Sequence, residues 1–464
     1  MSEPLHRLWE ATVRRSPSAV ALVDAATGKS WSRAALASAA AGWAVSFSLE
    51  AGKTTSLRRR VAMSVPNGAP WFEAFLGLLA AGAVPAPLDP TEPEEAQLAA
   101  ARSIGAAFLW SAGRLHRLGA GRSGPRVRPS ECLVKLTSGS SGAPRALSVT
   151  HAQMAADGRQ VCASMGIGPH DANLAAIPLG YSYGLGNLVV PLIAQGTRVI
   201  CSSSALPHSL AADAARFRPT VFPAVPPVLR ALVESDVPAR SLSSLRVVIS
   251  AGSPLPGEVA SAFAAKFGVR VHGFYGTSET GGITYDRGGD ATIEGRSVGT
   301  PLDGVRIAAG KDGRIAVSSP AVTGLGRFSP ADRAVLNPLG ELVLLGRTDR
   351  VVKIAGRRVD LAEIEAALRS VPGVHDAFAH LPGGPGSPLS AAVVSRLPAP
   401  DIRRLMRQRI ASWKVPSRIA VLAEFPATAR GKTDTARLRQ LMAAPRTATS
   451  ISTFRAARQM SAPR

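Results

Sequence analysis

Nine consecutive residues, Thr137-Ser138-Gly139-Ser140-Ser141-Gly142-Ala143-Pro144-Arg145, concentrate the groups that can hold an anion. Hydroxyls donate hydrogen bonds, glycines let the backbone turn its N–H groups toward phosphate oxygens, and Arg145 brings a positive charge. Such a Ser/Gly run serves either as a phosphate cradle or as a flexible loop, and its composition leaves both open. It is not a Walker A loop, which requires G-x-x-x-x-G-K-[ST]. Neither this stretch nor Gly431-Lys432-Thr433, where Pro426 stands at the first glycine's place, fits that pattern. Cys132, Cys162 and Cys201 lack C-x-x-C spacing, which argues against a thiolate zinc site or a disulfide framework and fits a reducing cytoplasm.

The loop follows an apolar strand, LVKL, and the chain around it alternates strand-like and helix-like runs. VALVDAA, an Ala-rich helix, RRRVAMSVP, the helix WFEAFLGLLAAGA and VPAPLDP come first; ANLAAIPL, TRVICSSS, PTVFPAVP, LRVVISAG and VRVHGFYG follow, each ended by Gly, Pro or Ser. That order predicts an α/β body with a mainly parallel sheet packed by helices. Near Gly340 the texture changes. GRIAVSS and GELVLLG lead into a helix with Asp360 at its N-cap and Leu361, Ile364, Leu368 and Val371 on one face. HDAFAHL, SAAVVSR, another helix and SRIAVLAEFP complete a small α+β unit. The expected domains are therefore 1–346, a mobile lid over 347–445, and a basic tail over 446–464.

Length and charge bound the rest. The 464 residues allow two or three domains, and 46% hydrophobic with 19% charged residues describes a globular chain. The net charge of +22 attracts polyanions, among them nucleotides. A nucleic-acid or anionic-membrane binder would interleave basic residues with exposed aromatics; aromatics are 5% here and form no such stripe, so no nucleic-acid partner is expected. The first residues carry charges throughout with no signal-peptide core, and the segment 75–88, with Pro85 and Pro87, is too short to span a bilayer. A cytoplasmic protein without a transmembrane segment is expected.

Several segments, in one order from about Leu8 to Leu438, resemble the acyl-adenylate-forming superfamily of acyl- and aryl-CoA synthetases, adenylation domains and luciferases. TSGSSGAPR resembles its T-S-G-[ST]-[ST]-G-x-P-K loop; SAGSPLP and GFYGTSETGG resemble its adenine-binding and Y-G-x-T-E segments; SVGTPLDGV, GRTDRVVKIAGRRVDLAEIE and ATARGKTDTARL resemble its later motifs, and GAVPAPLDP its early one. The resemblance implies that a carboxylate joins the α-phosphate of ATP, expelling pyrophosphate, and that the acyl group then passes to a thiol. Such chemistry needs donors, cations and a metal ligand more than a nucleophile.

On this resemblance Thr137, Ser138, Gly139, Ser140, Ser141, Gly142 and Arg145 hold ATP phosphates. Glu279 holds Mg²⁺, Ser278 donates to the α-phosphate, and Lys432 neutralises charge on the substrate carboxylate and α-phosphate. Tyr275 lies against adenine in a pocket lined by Ala251, Gly252 and Ser253; Asp332 accepts the ribose hydroxyls and Arg347 reaches nucleotide oxygens. Asp349 is the hinge, with Arg358 on the acceptor side. Tyr181, Tyr183, Gly184 and Gly281 surround the acyl group, and the aromatic run favours an aryl over a fatty acid. CoA is the expected thiol, or the phosphopantetheine of an acyl carrier protein in the alternative reading of a stand-alone adenylation enzyme. A degenerate enzyme or a basic binding protein is the alternative from another class. Arg145, Ala146, Tyr181, Pro330 and Ala331 depart from the family pattern.

Overall fold

The computed structural model describes residues 3–51, 59–118, 127–138, 144–347, 350–354, 357–381, 388–428 and 433–443. Among these, residues up to Leu345 form one compact unit and those from Gly346 onward a second.

The short apolar runs of the first unit become strands because each is β-branched or apolar for four to seven residues and then meets a breaker. Seven of them, with the shorter Thr300–Pro301 and Ser30–Ser32 at the two edges, make one nine-stranded sheet, in the order Thr300–Pro301, Gly281–Tyr285, Val271–Thr277, Val247–Ser250, Val221–Ala224, Ala172–Ala175, Arg198–Cys201, Val20–Asp24 and Ser30–Ser32. The six from Val271–Thr277 to Val20–Asp24 pair in parallel, and the outer strands add antiparallel at both edges. Buried on both faces, the central strands are continuous apolar runs such as Val247-Val248-Ile249. A second, four-stranded sheet holds Val84–Pro87, Arg60–Ser64, Phe108–Ser111 and Arg114–Arg117. The α/β architecture with a mainly parallel sheet is thus the one expected.

The helix Ala69–Ala80 is apolar nearly all round and sits in the core, with Trp71 and Phe75 stacked at 4.8 Å and Phe72 fully buried. Against it packs Arg33–Ala51, the one helix among the described residues long and apolar enough to cross a membrane, with 19 residues and a mean hydropathy of 1.2. The sequence search for spans settled on 75–88 instead, because alanine and serine keep the Arg33–Ala51 helix only moderately hydropathic at any one position. Leu36, Ala40 and Phe47 of this helix are buried, and Trp43 stacks on Phe47 at 5.5 Å.

One helix matters for the site. His151–Met165 starts at a reciprocal cap, in which Gln153 N–H donates to Thr150 Oγ1 at 3.2 Å and Thr150 N–H donates to the Gln153 side chain at 2.9 Å. Gly166, at φ 62°, closes it.

In the second unit, Val374–His380, Ser390–Ser395 and Arg418–Leu422 form a three-stranded sheet, and Val351–Ile354 pairs with Arg357–Asp360. The expected helix is Leu361–Arg369, and its stripe of Leu361, Ile364, Leu368 and Val371 is buried. The Asp360 side chain at its start lies outside the described residues.

Candidate functional site

Parallel strands present their carboxyl ends at one edge, and ligands of open α/β sheets bind in the crevice outside that edge. Ala224, Ser250 and Gly273 stand side by side there, and the third strand, Val271–Thr277, runs on past the edge. Ala251 follows the middle strand, buried, with its N–H donating to the Ala224 carbonyl at 3.3 Å. Gly252 takes φ +92°, and Gly252 and Ser253 are exposed at the edge. On the neighbouring strand the Tyr275 hydroxyl donates to Asp332 Oδ2 at 2.8 Å. The residues expected to hold a base and a ribose, 57 apart in the chain, are therefore in contact.

The turn after Tyr275 is fixed from within. Thr280 is fully buried, and its Oγ1 accepts from Thr277 N–H at 3.2 Å and donates to the Gly281 carbonyl at 3.0 Å. From outside, Ser182 Oγ donates to Ser278 Oγ at 2.9 Å, and Thr323 N–H donates to the Glu279 carbonyl at 2.8 Å. Every one of these bonds holds the main chain or a hydroxyl. The Glu279 carboxylate itself makes no hydrogen bond or ion pair with a described residue, so it retains both oxygens for a hard cation. No group of three or more His, Cys, Asp or Glu side chains gathers among the described residues, which excludes an all-protein metal cage there. One carboxylate completed by phosphate oxygens and water suits Mg²⁺.

The expected acyl-site residues lie on a segment tied down by Asn67, whose side chain donates to the Ile177 carbonyl at 2.8 Å and accepts from Leu179 N–H at 3.0 Å. Sequence reasoning passed over Asn67. Its signal was a polar residue in the SVPN turn between a buried strand and a buried helix. Tyr181 OH donates to Asp89 Oδ2 at 2.6 Å, which joins this segment to the early GAVPAPLDP motif. Tyr183 behaves differently: its hydroxyl donates to the Ile249 carbonyl at 3.0 Å, its ring packs 5.9 Å from Phe274, and burial pushes its phenol well above the usual range. It fastens the segment to the sheet, whereas Tyr181 fastens it to Asp89.

Gly184 is a contact point. A Cβ there would stand 2.1 Å from the Pro178 carbonyl oxygen, so the chain closes on itself only with glycine. A π-helical turn, Leu185–Val189, follows. Such turns concentrate at functional sites, and this one buries Asn187, whose Oδ1 has no partner among the described residues. Gly281, at φ +68°, would place a Cβ 2.3 Å from Asp157 Oδ1.

Asp157 and Lys135 are the charged residues the sequence reading missed, and both are buried, at 4% and 5% exposure. Lys135 was detectable as a charge inside the strand CLVKL, two residues before Thr137 and hence on the same face of the strand.

The Ser/Gly loop joins the antiparallel strands Glu131–Ser138 and Pro144–Thr150, with Thr137 opposite Arg145. Gly139, Ser140, Ser141 and Gly142 lie outside the described residues, as do Asp349 and Lys432, and so do the side chains of Thr137, Ser138, Arg145, Arg347 and Arg358. The backbone of Arg347 ends the strand Leu342–Arg347, and Arg358 lies opposite Lys353 in the second unit.

Comparison with known proteins gives the family and the fold. Residues 9–118 and 116–323 match the profile of the AMP-binding enzyme family, and residues 363–432 that of the AMP-binding enzyme C-terminal domain. The feruloyl-CoA synthase of an Amycolatopsis species is 28% identical over 73% of this chain and 76% of its own length. The phenyloxazoline synthase MbtB of a Mycobacterium species is 30% identical over 81% of this chain and 37% of its own. Among the first curated relatives the chain spans between 6% and 76% of their length. In fold, it is similar to the O-succinylbenzoate coenzyme A synthetase of Bacillus subtilis in complex with AMP, with a TM-score of 0.80, 21% identity, and coverage of 96% of this chain and 99% of that one.

Proposed function

The chain belongs to the AMP-binding enzyme family, and from that premise we propose that it uses ATP to activate a carboxylic acid, aryl rather than alkyl, as an acyl adenylate and then transfers the acyl group to the thiol of CoA. One observation carries the reading. The six residues from Tyr275 to Thr280 hold an aromatic ring, a hydroxyl and an uncommitted carboxylate in one rigid turn, bonded outward to Asp332, Ser182 and Thr323.

An oxygen of the substrate carboxylate attacks the α-phosphorus of ATP, and the bond from that phosphorus to the pyrophosphate oxygen breaks. Negative charge builds on the phosphoryl oxygens, so the protein's part is to position and neutralise. Tyr275 and Asp332 hold the nucleoside, Asp332 accepting from the ribose hydroxyls while Tyr275 orients it. Ser278 Oγ, itself accepting from Ser182, turns its own proton toward an α-phosphate oxygen. Glu279 would hold Mg²⁺, which when bound supplies charge neutralisation on the phosphates. Lys432 and the Thr137 to Gly142 loop supply the remaining cation and donors. Thiol attack on the acyl carbon then releases AMP.

Aryl specificity is supported by Tyr181 and by the feruloyl-CoA synthase among the relatives. The test is acid-dependent pyrophosphate release from ATP and Mg²⁺ with benzoate-like, cinnamate-like and fatty acids, followed by addition of CoA or a purified carrier protein. Release with aryl acids and a thioester with CoA are expected. A thioester formed only on the carrier would replace the acceptor; no release with any acid would contradict the reading.

A further inference from the structure

Beside the proposed acyl site the fold buries two opposite charges and leaves them short of contact. Asp157, on the helix His151–Met165, accepts from Gly282 N–H through Oδ1 at 2.9 Å. Its Oδ2 lies 3.0 Å from where a side chain on Gly186 would begin, and accepts from no described residue. The carboxylate thus sits between Gly186, on the π-helical turn, and the strand start at Gly281 and Gly282, the two segments proposed to wall the acyl group. Lys135 reaches the same region from the strand Glu131–Ser138: its ammonium feels both Asp157 and Glu279 through space, without an ion pair or hydrogen bond to any described residue.

A pair this buried is expensive unless its hydrogen bonds are completed. Burial lowers the Lys135 ammonium from its ordinary range and raises the Asp157 carboxyl, each toward its neutral form, while their mutual attraction and the Gly282 N–H oppose the change. A buried donor and a buried acceptor are thus each left short of partners among the described residues, and the acceptor stands against the two segments proposed to wall the acyl group. The group that completes both must accept from an ammonium and donate to a carboxylate. A methyl or a hydrogen does neither, a second carboxylate only accepts, and an ammonium only donates; a hydroxyl does both with one oxygen.

We propose that Lys135 and Asp157 select a hydroxy-substituted carboxylic acid, whose hydroxyl accepts from Lys135 Nζ and donates to Asp157 Oδ2. The inference rests on the reading of the chain as an acid-adenylating enzyme. It makes the two residues specificity determinants and assigns them no part in the phosphoryl chemistry. A site built around a substrate hydroxyl discriminates strongly against the analogue without it, because that analogue leaves buried polar groups unpaired.

The experiment compares matched acids by pyrophosphate release: benzoate with 3- and 4-hydroxybenzoate, cinnamate with 4-hydroxycinnamate, and hexanoate with 6-hydroxyhexanoate. At least one pair should favour the hydroxy acid by about 10²-fold or more in kcat/KM. In Asp157→Asn and Lys135→Met that ratio should fall at least about tenfold, since the amide of the first variant keeps the bond from Gly282 but turns a donor toward the hydroxyl. Thermal unfolding of each variant tests its folding, and the wild-type ratio needs no variant at all. Ratios near one in every pair, or variants that slow both members equally, overturn the inference while adenylation stands. No pyrophosphate with any acid overturns adenylation and this inference together.

Discussion

Replacing Lys432 with alanine should lower acid-dependent pyrophosphate release by about 10²-fold or more, the usual loss when one charge-stabilising donor is removed from a transition state. In the first half-reaction, charge moves from an attacking carboxylate through the α-phosphoryl oxygens to pyrophosphate. A compact ammonium bound to the carboxylate and α-phosphate lowers that barrier directly. In the second, a thiol attacks an acyl carbon and the leaving AMP already carries its charge. The variant should therefore convert a supplied acyl adenylate to thioester within about threefold of the wild-type rate, a split that identifies an interaction specific to one transition state. Lys432→Arg should recover little, because the planar guanidinium does not occupy the place of a point charge. Equal losses in both half-reactions would contradict the assignment.

Glu279→Ala should be nearly as damaging to catalysis and almost silent in stability, and that contrast makes it informative. The turn around Glu279 is held by the Thr280 hydroxyl, by Ser182 on Ser278 and by Thr323 on the Glu279 carbonyl. None of these bonds uses the Glu279 side chain. Its removal should shift unfolding by no more than about 1 kcal/mol, the interaction lost being the through-space attraction to the buried Lys135 ammonium. Pyrophosphate release, by contrast, should fall by about 10²- to 10³-fold at ordinary Mg²⁺, with the Mg²⁺ concentration for half-maximal rate raised. Unchanged kinetics would remove the metal role, and a large loss of stability would show that the carboxylate is structural.

The fold was readable because its signals are local. Apolar runs ending in breakers, from VALVD to VRVHGFYG, fall on strands, and the Leu361, Ile364 and Leu368 stripe is buried. Parallel order across six strands was implied by the alternation with helices, but the antiparallel edges were not, since pairing between distant segments leaves no local mark. The candidate site was assembled from ordered motifs, and the Tyr275 to Asp332 bond joins two of them although FSPAD departs from the family's usual T-G-D. What the residues did not disclose is what depends on distant packing. Tyr183 looks like Tyr181 in the sequence, yet only the proximity of Ile249 commits its hydroxyl to the sheet. Asp157 reads as one more polar helix residue until Gly186, Gly281 and Gly282 close around it. The Arg33–Ala51 helix owes its apolar character to alanines, which a search for large hydrophobic residues undervalues.

The central claim is that an oxygen of the acid attacks the α-phosphorus of ATP, and following that oxygen tests it most directly. With an acid labelled by ¹⁸O in both carboxylate oxygens, complete conversion through thioester should leave one ¹⁸O in the recovered AMP and none in pyrophosphate. ADP in place of AMP, with the ¹⁸O found in inorganic phosphate, would mean attack at the γ-phosphorus and an acyl phosphate, and the account would fail.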